Sequence, residues 1–239
     1  MRIFKPKLEI LPEPQRILWN ELASCVKLGF VLYGGTAVSL QIGHRYSVDF
    51  DFFSHLSLDE SSILNALPFL QNVVDKEIKV KTNPHTNENA NTYIYITQSH
   101  VKFEFHSGIT FGRVGEPLIT EDGVLQIASL DDIMATKLKT ILQRAQKKDY
   151  EDIAAMLRCG VSLEKGLGGA AALFGKQFPA ISALKALTFF QDGDLHELSK
   201  ENKNTLHKYV KMARIQNIPQ IKLIADHLTV ESVMLREGS

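Results

Sequence analysis

The sequence predicts an α+β chain: a mixed sheet with flanking helices in the first part, then an all-helical C-terminal part. Three observations predict it. Short apolar runs and period-two alternations are confined to residues 30–106, three-to-four spacing of apolar residues dominates beyond Gly123, and 239 residues at 44% hydrophobic suffice for one large core or two modest ones. The expected division is 1–124 for the sheet domain and 125–239 for the helical domain.

In chain order, Pro14 to Lys27 reads as an amphipathic helix with Trp19 on its apolar side. A short strand Phe30 to Tyr33, the pair Gly34-Gly35 and a brief helix Thr36 to Ile42 follow. Ser47 to Phe53 alternates Asp49 and Asp51 with Val48, Phe50 and Phe52, as a strand with one polar face does. Asp59 to Leu70 is helical, Glu77 to Thr82 alternates, and Asn83 to Asn91 suits a loop. Thr92 to Thr97 and Val101 to His106, parted by three residues, form a hairpin, giving a sheet of four or five strands. Ser129 with Asp132 predicts a capping box opening a helix to about Gln146. Helices are expected at Asp149 to Arg158, Leu163 to Phe174, Pro179 to Phe190, Lys200 to Arg214 and Pro219 to Leu235.

Composition removes several classes of function. Lys+Arg and Asp+Glu are both 27, so no whole-molecule field draws the chain to nucleic acid or anionic membrane, and any RNA binding must be local. The first residues lack an apolar core of signal-peptide length, and no run of eighteen apolar residues occurs. A soluble, cytoplasmic protein with no membrane partner is expected. Cys25 and Cys159 form no CxxC pair and read as buried free thiols. The eight histidines show no zinc spacing.

Asp49 and Asp51, at i and i+2 of a strand, project from one face with Cα atoms about 6.8 Å apart. Two such acids suit a divalent cation, Mg²⁺ or Mn²⁺, or a pair of ions roughly 3.5–4 Å apart, as phosphoryl transfer uses. A lone DxD is more often a solvated strand face, and its context raises it above that. Gly34 and Gly35 let a phosphate approach backbone amides at the helix start near Thr36. Arg45 and Ser47 connect that turn to the acidic strand, and Arg45 suits bidentate phosphate contact, though a surface arginine at a strand entry explains it equally. Glu104 is the candidate third carboxylate, as metal ligand or as base, because Lys102, Glu104 and His106 share a face opposite Val101, Phe103 and Phe105; an ordinary polar sheet face explains it equally. His106 is a candidate substrate contact. Lys137 and Arg144, at i and i+7, would share a helix face about 10 Å apart, enough to span a triphosphate. A solvated basic stripe including Lys139, Lys147 and Lys148 explains the same pattern. Asp149 reads equally as an N-cap, with Asp152 favouring the helix start.

The strings Gly34-Gly-Thr36-Ala37 and Arg45-Tyr-Ser47-Val-Asp49-Phe-Asp51 resemble the first motif of the AbiEii/AbiGii toxin family, a branch of the DNA polymerase β-like nucleotidyltransferases. Ala135-Thr-Lys137-Leu, Arg144 and Lys148-Asp149-Tyr-Glu-Asp152 are similar to its lysine and aspartate motifs. The resemblance spans residues 34 to 152 and agrees in order and spacing. It implies a nucleotidyltransferase-fold sheet, a helical domain completing the cleft, and transfer of a nucleoside monophosphate from an NTP. It also implies that Lys137 meets the NTP phosphates and that Asp149 serves that lysine or the acceptor. Relatives act as toxins, some on the tRNA acceptor end, so tRNA or another RNA and a cognate antitoxin are the implied partners.

Gly169 to Lys176 differs from a P-loop in spacing, lacks the Ser/Thr and follows no strand, so it reads as a small-residue helix face. Two competing functions stand beside an RNA-modifying transferase: transfer to a small molecule or protein hydroxyl, and a degenerate nucleotide-binding module. The presence of Asp49, Asp51 and Glu104 weighs against the last. Lys203, Lys208, Lys211, Arg214 and Lys222 could form a local RNA surface, as solvated helices also would.

Overall fold

The structure, a computed structural model, describes residues 2–70, 75–82, 89–98 and 101–230, with side chains from 71 to 100 and that of Gln177 left aside. The chain divides into two compact units. The first comprises Met1–Phe111, Glu116–Ala128 and the chain from Asp226, and the second Gly112–Gly115 with Ser129–Ala225. The break between sheet and helices thus falls after Ala128, and the chain returns to the first unit at Asp226.

The first unit opens with β1 (Arg2–Phe4), which the sequence reading did not anticipate. The expected helix over Pro14 to Lys27 is three short pieces: α1 (Glu13–Ile17), a 3-10 turn Trp19–Leu22, and α2 (Ala23–Lys27). Gln15, Trp19, Leu22, Cys25 and Val26 are all buried, so helical spacing persists although the helix does not. Trp19 is drawn in by its ring nitrogen, which donates to Asp122 Oδ2 at 2.7 Å.

β2 (Val31–Tyr33) runs into α3 (Gly34–Ile42), which ends at Gly43 with φ 74°. β3 (Asp49–Phe53), α4 (Glu60–Ala66), β4 (Asp75–Thr82), β5 (Asn89–Gln98) and β6 (Val101–Ser107) follow. Asn89 to Asn91, expected as loop, lie in β5, whereas the rest of that expected loop, 83–88, and residues 99–100 lie outside the described residues. β7 (Leu118–Thr120) and β8 (Gln126–Ile127) complete the sheet.

Among the described residues this sheet has eight strands, not four or five, in the order β1-β7-β8-β2-β3-β6-β5-β4. The three extra strands have two or three residues each, too short for an alternation to register. β3 pairs antiparallel to β2 and parallel to β6, so the sheet is mixed as expected. Its buried face is aromatic: Phe50 stacks on Phe103 at 5.5 Å and Phe52 on Phe105 at 5.4 Å between centroids, with Phe30 edge-on to Phe105. Packing of these rings fixes β3 against β6 and turns Asp49, Asp51 and Glu104 to the opposite face.

The second unit is helical: α5 (Leu130–Thr140), α6 (Lys147–Arg158), α7 (Leu163–Phe174), α8 (Ala180–Ala186) and α9 (Lys200–Met212). Ser129, Ser162 and Ser199 cap α5, α7 and α9 through their hydroxyls. The box at Ser129 is only half formed. The Asp132 carboxylate accepts from the amides of Val114 at Oδ1 (2.6 Å) and Gly115 at Oδ2 (3.1 Å) and from the Ser129 hydroxyl at Oδ2, rather than from the Ser129 amide. The small face of α7 is a packing face, with Gly166 against Met134 and Leu138 and Gly169 against Ala135 and Val114.

Two expectations fail here. Residues 219–230 are not helical, because Arg113 and Ile224 use their amides on Ala225 and Arg113 carbonyls, at 2.9 and 2.8 Å, in a bridge with the 112–115 segment. Residues 231–235 of that expected helix lie outside the described residues. Cys25 is buried as expected, but Cys159 is exposed, because it caps the end of α6 where the chain leaves the helix.

Candidate active site

Three rungs of side chains cross the polar face of the sheet between β3 and β6. Register pairs Asp49 with Lys102, Asp51 with Glu104, and Phe53 with His106. Asp51, Glu104 and His106 present ligand atoms within 4.8 Å of one another, all half-buried. His106 Nε2 lies 3.5 Å from Glu104 Oε2, while Lys102 Nζ forms an ion pair with Glu104 Oε1. Burial works against the Glu104 charge, but hydrogen bonds from His106 and Lys102 outweigh it and hold the carboxyl down at about 2. A carboxylate kept ionised so strongly is a good cation ligand and a weak general base.

Two carboxylates and an imidazole form a donor set that fits a divalent cation, the carboxylates suiting Mg²⁺ or Mn²⁺. Strand alternation alone groups Asp49, Asp51 and Glu104. The structure brings together Asp51, Glu104 and His106, and sets Asp49 one rung away opposite Lys102. Alternation had already placed His106 and Lys102 on this face, and only the parallel β3–β6 register could align them with Asp51.

Gly34 takes φ 69°, and a β-carbon there would overlap the Asp51 carboxylate. The positive φ of the glycine pair belongs to Gly34, not Gly35, which lies inside α3. The amide-bearing start of α3 therefore adjoins Asp51. Thr36 and Ser47, expected at the nucleotide, are buried. Thr36 Oγ1 lies 2.8 Å from Ser47 Oγ and also donates to the Asp49 carbonyl, tying the first turn of α3 to the start of β3. Arg45 is half-buried and donates to the Tyr46 carbonyl at 2.9 Å.

In the second unit, Lys137 Nζ lies 2.7 Å from both Asp149 and Asp152. Arg144 meets Asp149 through Nε at 2.8 Å and Nη2 at 3.2 Å. The expected shared helix face for Lys137 and Arg144 is not present: α5 ends at Thr140, and both cations converge on one carboxylate. Asp149 is not an N-cap either, since Gln146 holds that position. Side-chain exposure is 7% for Lys137, none for either aspartate and 47% for Arg144, so only the arginine faces solvent. Burial would lower Lys137, but Asp152 and Asp149 leave it raised. Burial would likewise raise Asp149, but Lys137 and Arg144 hold it below the usual range.

The sheet is mixed, and its acidic strand β3 lies beside the glycine turn that opens α3. The solved nucleotidyltransferase toxin MenT4 (Rv2826c) of Mycobacterium tuberculosis H37Rv has this fold: it superposes with a TM-score of 0.50 over 84% of each chain, at 11% identity. Residues 16–215 match the family model described as nucleotidyl transferase AbiEii toxin of type IV toxin–antitoxin systems, and the chain belongs to that family. It is also 32% identical over 143 residues to the uncharacterized protein aq_aa25 of Aquifex aeolicus (strain VF5), spanning 57% of this chain and 64% of that protein. Among the described residues, no helix is long and apolar enough to cross a membrane.

Proposed function

We propose that this chain transfers a nucleoside monophosphate from an NTP to an acceptor hydroxyl, as the toxin of a cytoplasmic toxin–antitoxin pair, with RNA, tRNA foremost, as acceptor. The observation that carries this reading is the contact of Gly34 with the Asp51 carboxylate, which puts a helix-start phosphate cradle against the Asp51, Glu104 and His106 donors. A divalent cation bound by those three groups, Mg²⁺ or Mn²⁺, would neutralise triphosphate charge. The acceptor oxygen bonds to the α-phosphorus as the bond to the pyrophosphate oxygen breaks, and pyrophosphate leaves with that electron pair. Asp49, on the same face but outside the trio, is assigned the hydroxyl proton, because both Glu104 oxygens already face Lys102 and His106.

Thr36 and Ser47 hold the cradle in place, and Gly34, Gly35 and Arg45 are assigned to the phosphates. In the second unit, Arg144 alone of its network presents a charge to solvent. Lys137 and Asp149 orient it. Membership of a type IV family supports a cognate antitoxin as the protein partner.

The test incubates the protein with each labelled NTP, Mg²⁺, total RNA and cell extract, and finds where label becomes covalent. Label in RNA that disappears with Asp51→Asn supports the reading. Label on a protein or small molecule would reassign the acceptor, and no label from any NTP would remove the transfer activity.

A further inference from the structure

Glu104 divides its two oxygens between two cation positions. Oε2 faces His106 at 3.5 Å, on the side of the candidate cation site, whereas Oε1 is already taken by the Lys102 ammonium. A carboxylate that bridges two positive centres is what a paired-metal site requires of its shared ligand. In this chain one of those centres is a side chain. Lys102 is set opposite Asp49 by register, and it lies in the field of Glu104, Asp49 and Asp51 together. Glu104 therefore has a cationic partner that needs no ion from solution.

We propose that Lys102 is the resident second cation of this site: its ammonium occupies the place beside Glu104 and Asp49 that a second divalent ion would take, so the metal-binding face holds one divalent ion, on Asp51, Glu104 and His106. The inference rests on the cation-binding reading of that trio. Lys102 is a positioning residue here. It fixes Glu104 and sets how many ions the face accepts, without itself needing to touch substrate. Its side chain is 44% exposed, so replacing it leaves no large buried void.

The experiment titrates the full chain with Mn²⁺ in the absence of nucleotide and follows free Mn²⁺ by electron paramagnetic resonance. The wild type, Lys102→Met, Lys102→Gln, Lys102→Arg and Glu104→Gln are compared, each checked for folding by circular dichroism. One Mn²⁺ per wild-type chain is expected. Lys102→Met and Lys102→Gln should bind Mn²⁺ about tenfold more tightly or take a second ion, the size expected on removing a unit charge about 5 Å from a divalent ion in a water-like medium. Lys102→Arg should behave as wild type, and Glu104→Gln should lose the site. Unchanged affinity and stoichiometry in both neutral variants would overturn the inference and leave the trio standing, as would two ions per wild-type chain. No Mn²⁺ binding in the wild type, or full binding in Glu104→Gln, would overturn the cation-site reading and the inference with it.

Discussion

At Gly34 the backbone turns with φ 69°, and the volume that a β-carbon would fill belongs to the Asp51 carboxylate. Any other residue meets two penalties there. Left-handed backbone costs about 1–2 kcal/mol for an L side chain, and the carboxylate must move from its place beside Glu104. Gly34→Ala should therefore lower the unfolding free energy by at least that amount in urea titration and weaken Mn²⁺ binding in the same preparation. Normal binding at reduced stability would show that the glycine serves the turn alone. The two aspartates of β3 should separate in the same assay. Asp51→Asn removes a member of the donor trio and should weaken Mn²⁺ binding at least tenfold, at a change of about 1 kcal/mol or less in stability. Asp49→Asn should keep Mn²⁺ binding while losing nucleotide transfer. Equal loss of Mn²⁺ from both would return Asp49 to the ligand set.

Between α5 and α6 lies a buried charge network whose energetics differ from those of a phosphate-binding lysine. Lys137→Met leaves Asp149 and Asp152 buried with one cation fewer, and breaking such a pair costs about 3–5 kcal/mol. Lys139, whose ammonium lies 5.9 Å from the Phe174 ring, should cost about 1 kcal/mol or less when replaced by Ala. Near-equal midpoints for the two variants in thermal unfolding would remove the network from the account of stability. The pH profile follows from the same contacts. Asp149 is depressed below 3.8 in the folded chain, so its contribution is present above that pH and is lost as pH falls through the folded value. Lys137 is raised above 10.5, so its contribution is present below that pH and is lost as pH rises through the folded value. Between those limits the network's contribution should be flat in urea unfolding, and Lys137→Met should blunt the acid limb. This network also marks where the sequence was legible. Lys137, Arg144 and Asp149 were identifiable as motif residues, but their partnership depends on α5 stopping at Thr140, and a helical pattern running on to Gln146 hid that stop. The acidic strand was readable because alternation alone sorts its two faces. The approach of His106 to Asp51 and Glu104 required the register of two strands fifty residues apart in sequence. The short strands β1, β7 and β8 and the bridge at Arg113 carry no periodicity and could come only from long-range pairing.

Over the whole molecule, the chain crosses between its two units four times, after Phe111, Gly115, Ala128 and Ala225, so the second unit is an insertion rather than a C-terminal appendage. The last crossing has an energetic consequence for the sheet unit. Leu228 and Thr229, though distant in sequence from every strand, are 1% and 5% exposed and belong to that unit, and the His227 ring lies 5.5 Å from that of His55. Burial, and then the proximity of His227, lowers the His55 pKa, as close packing of these two rings requires. A chain ending at Ala225 would keep every helix of the second unit but lose this packing. Leu228→Ala should cost about 2–5 kcal/mol, as truncation of a fully buried leucine does. Hydrogen exchange gives the location as well as the size of the effect. Amides of β2 and β3 should exchange faster in Leu228→Ala and in the chain ended at Ala225, while those of α6 retain their protection. Acceleration confined to α6 or α9 would place the last described residues with the helices, and the sheet unit would then be complete at Ala128.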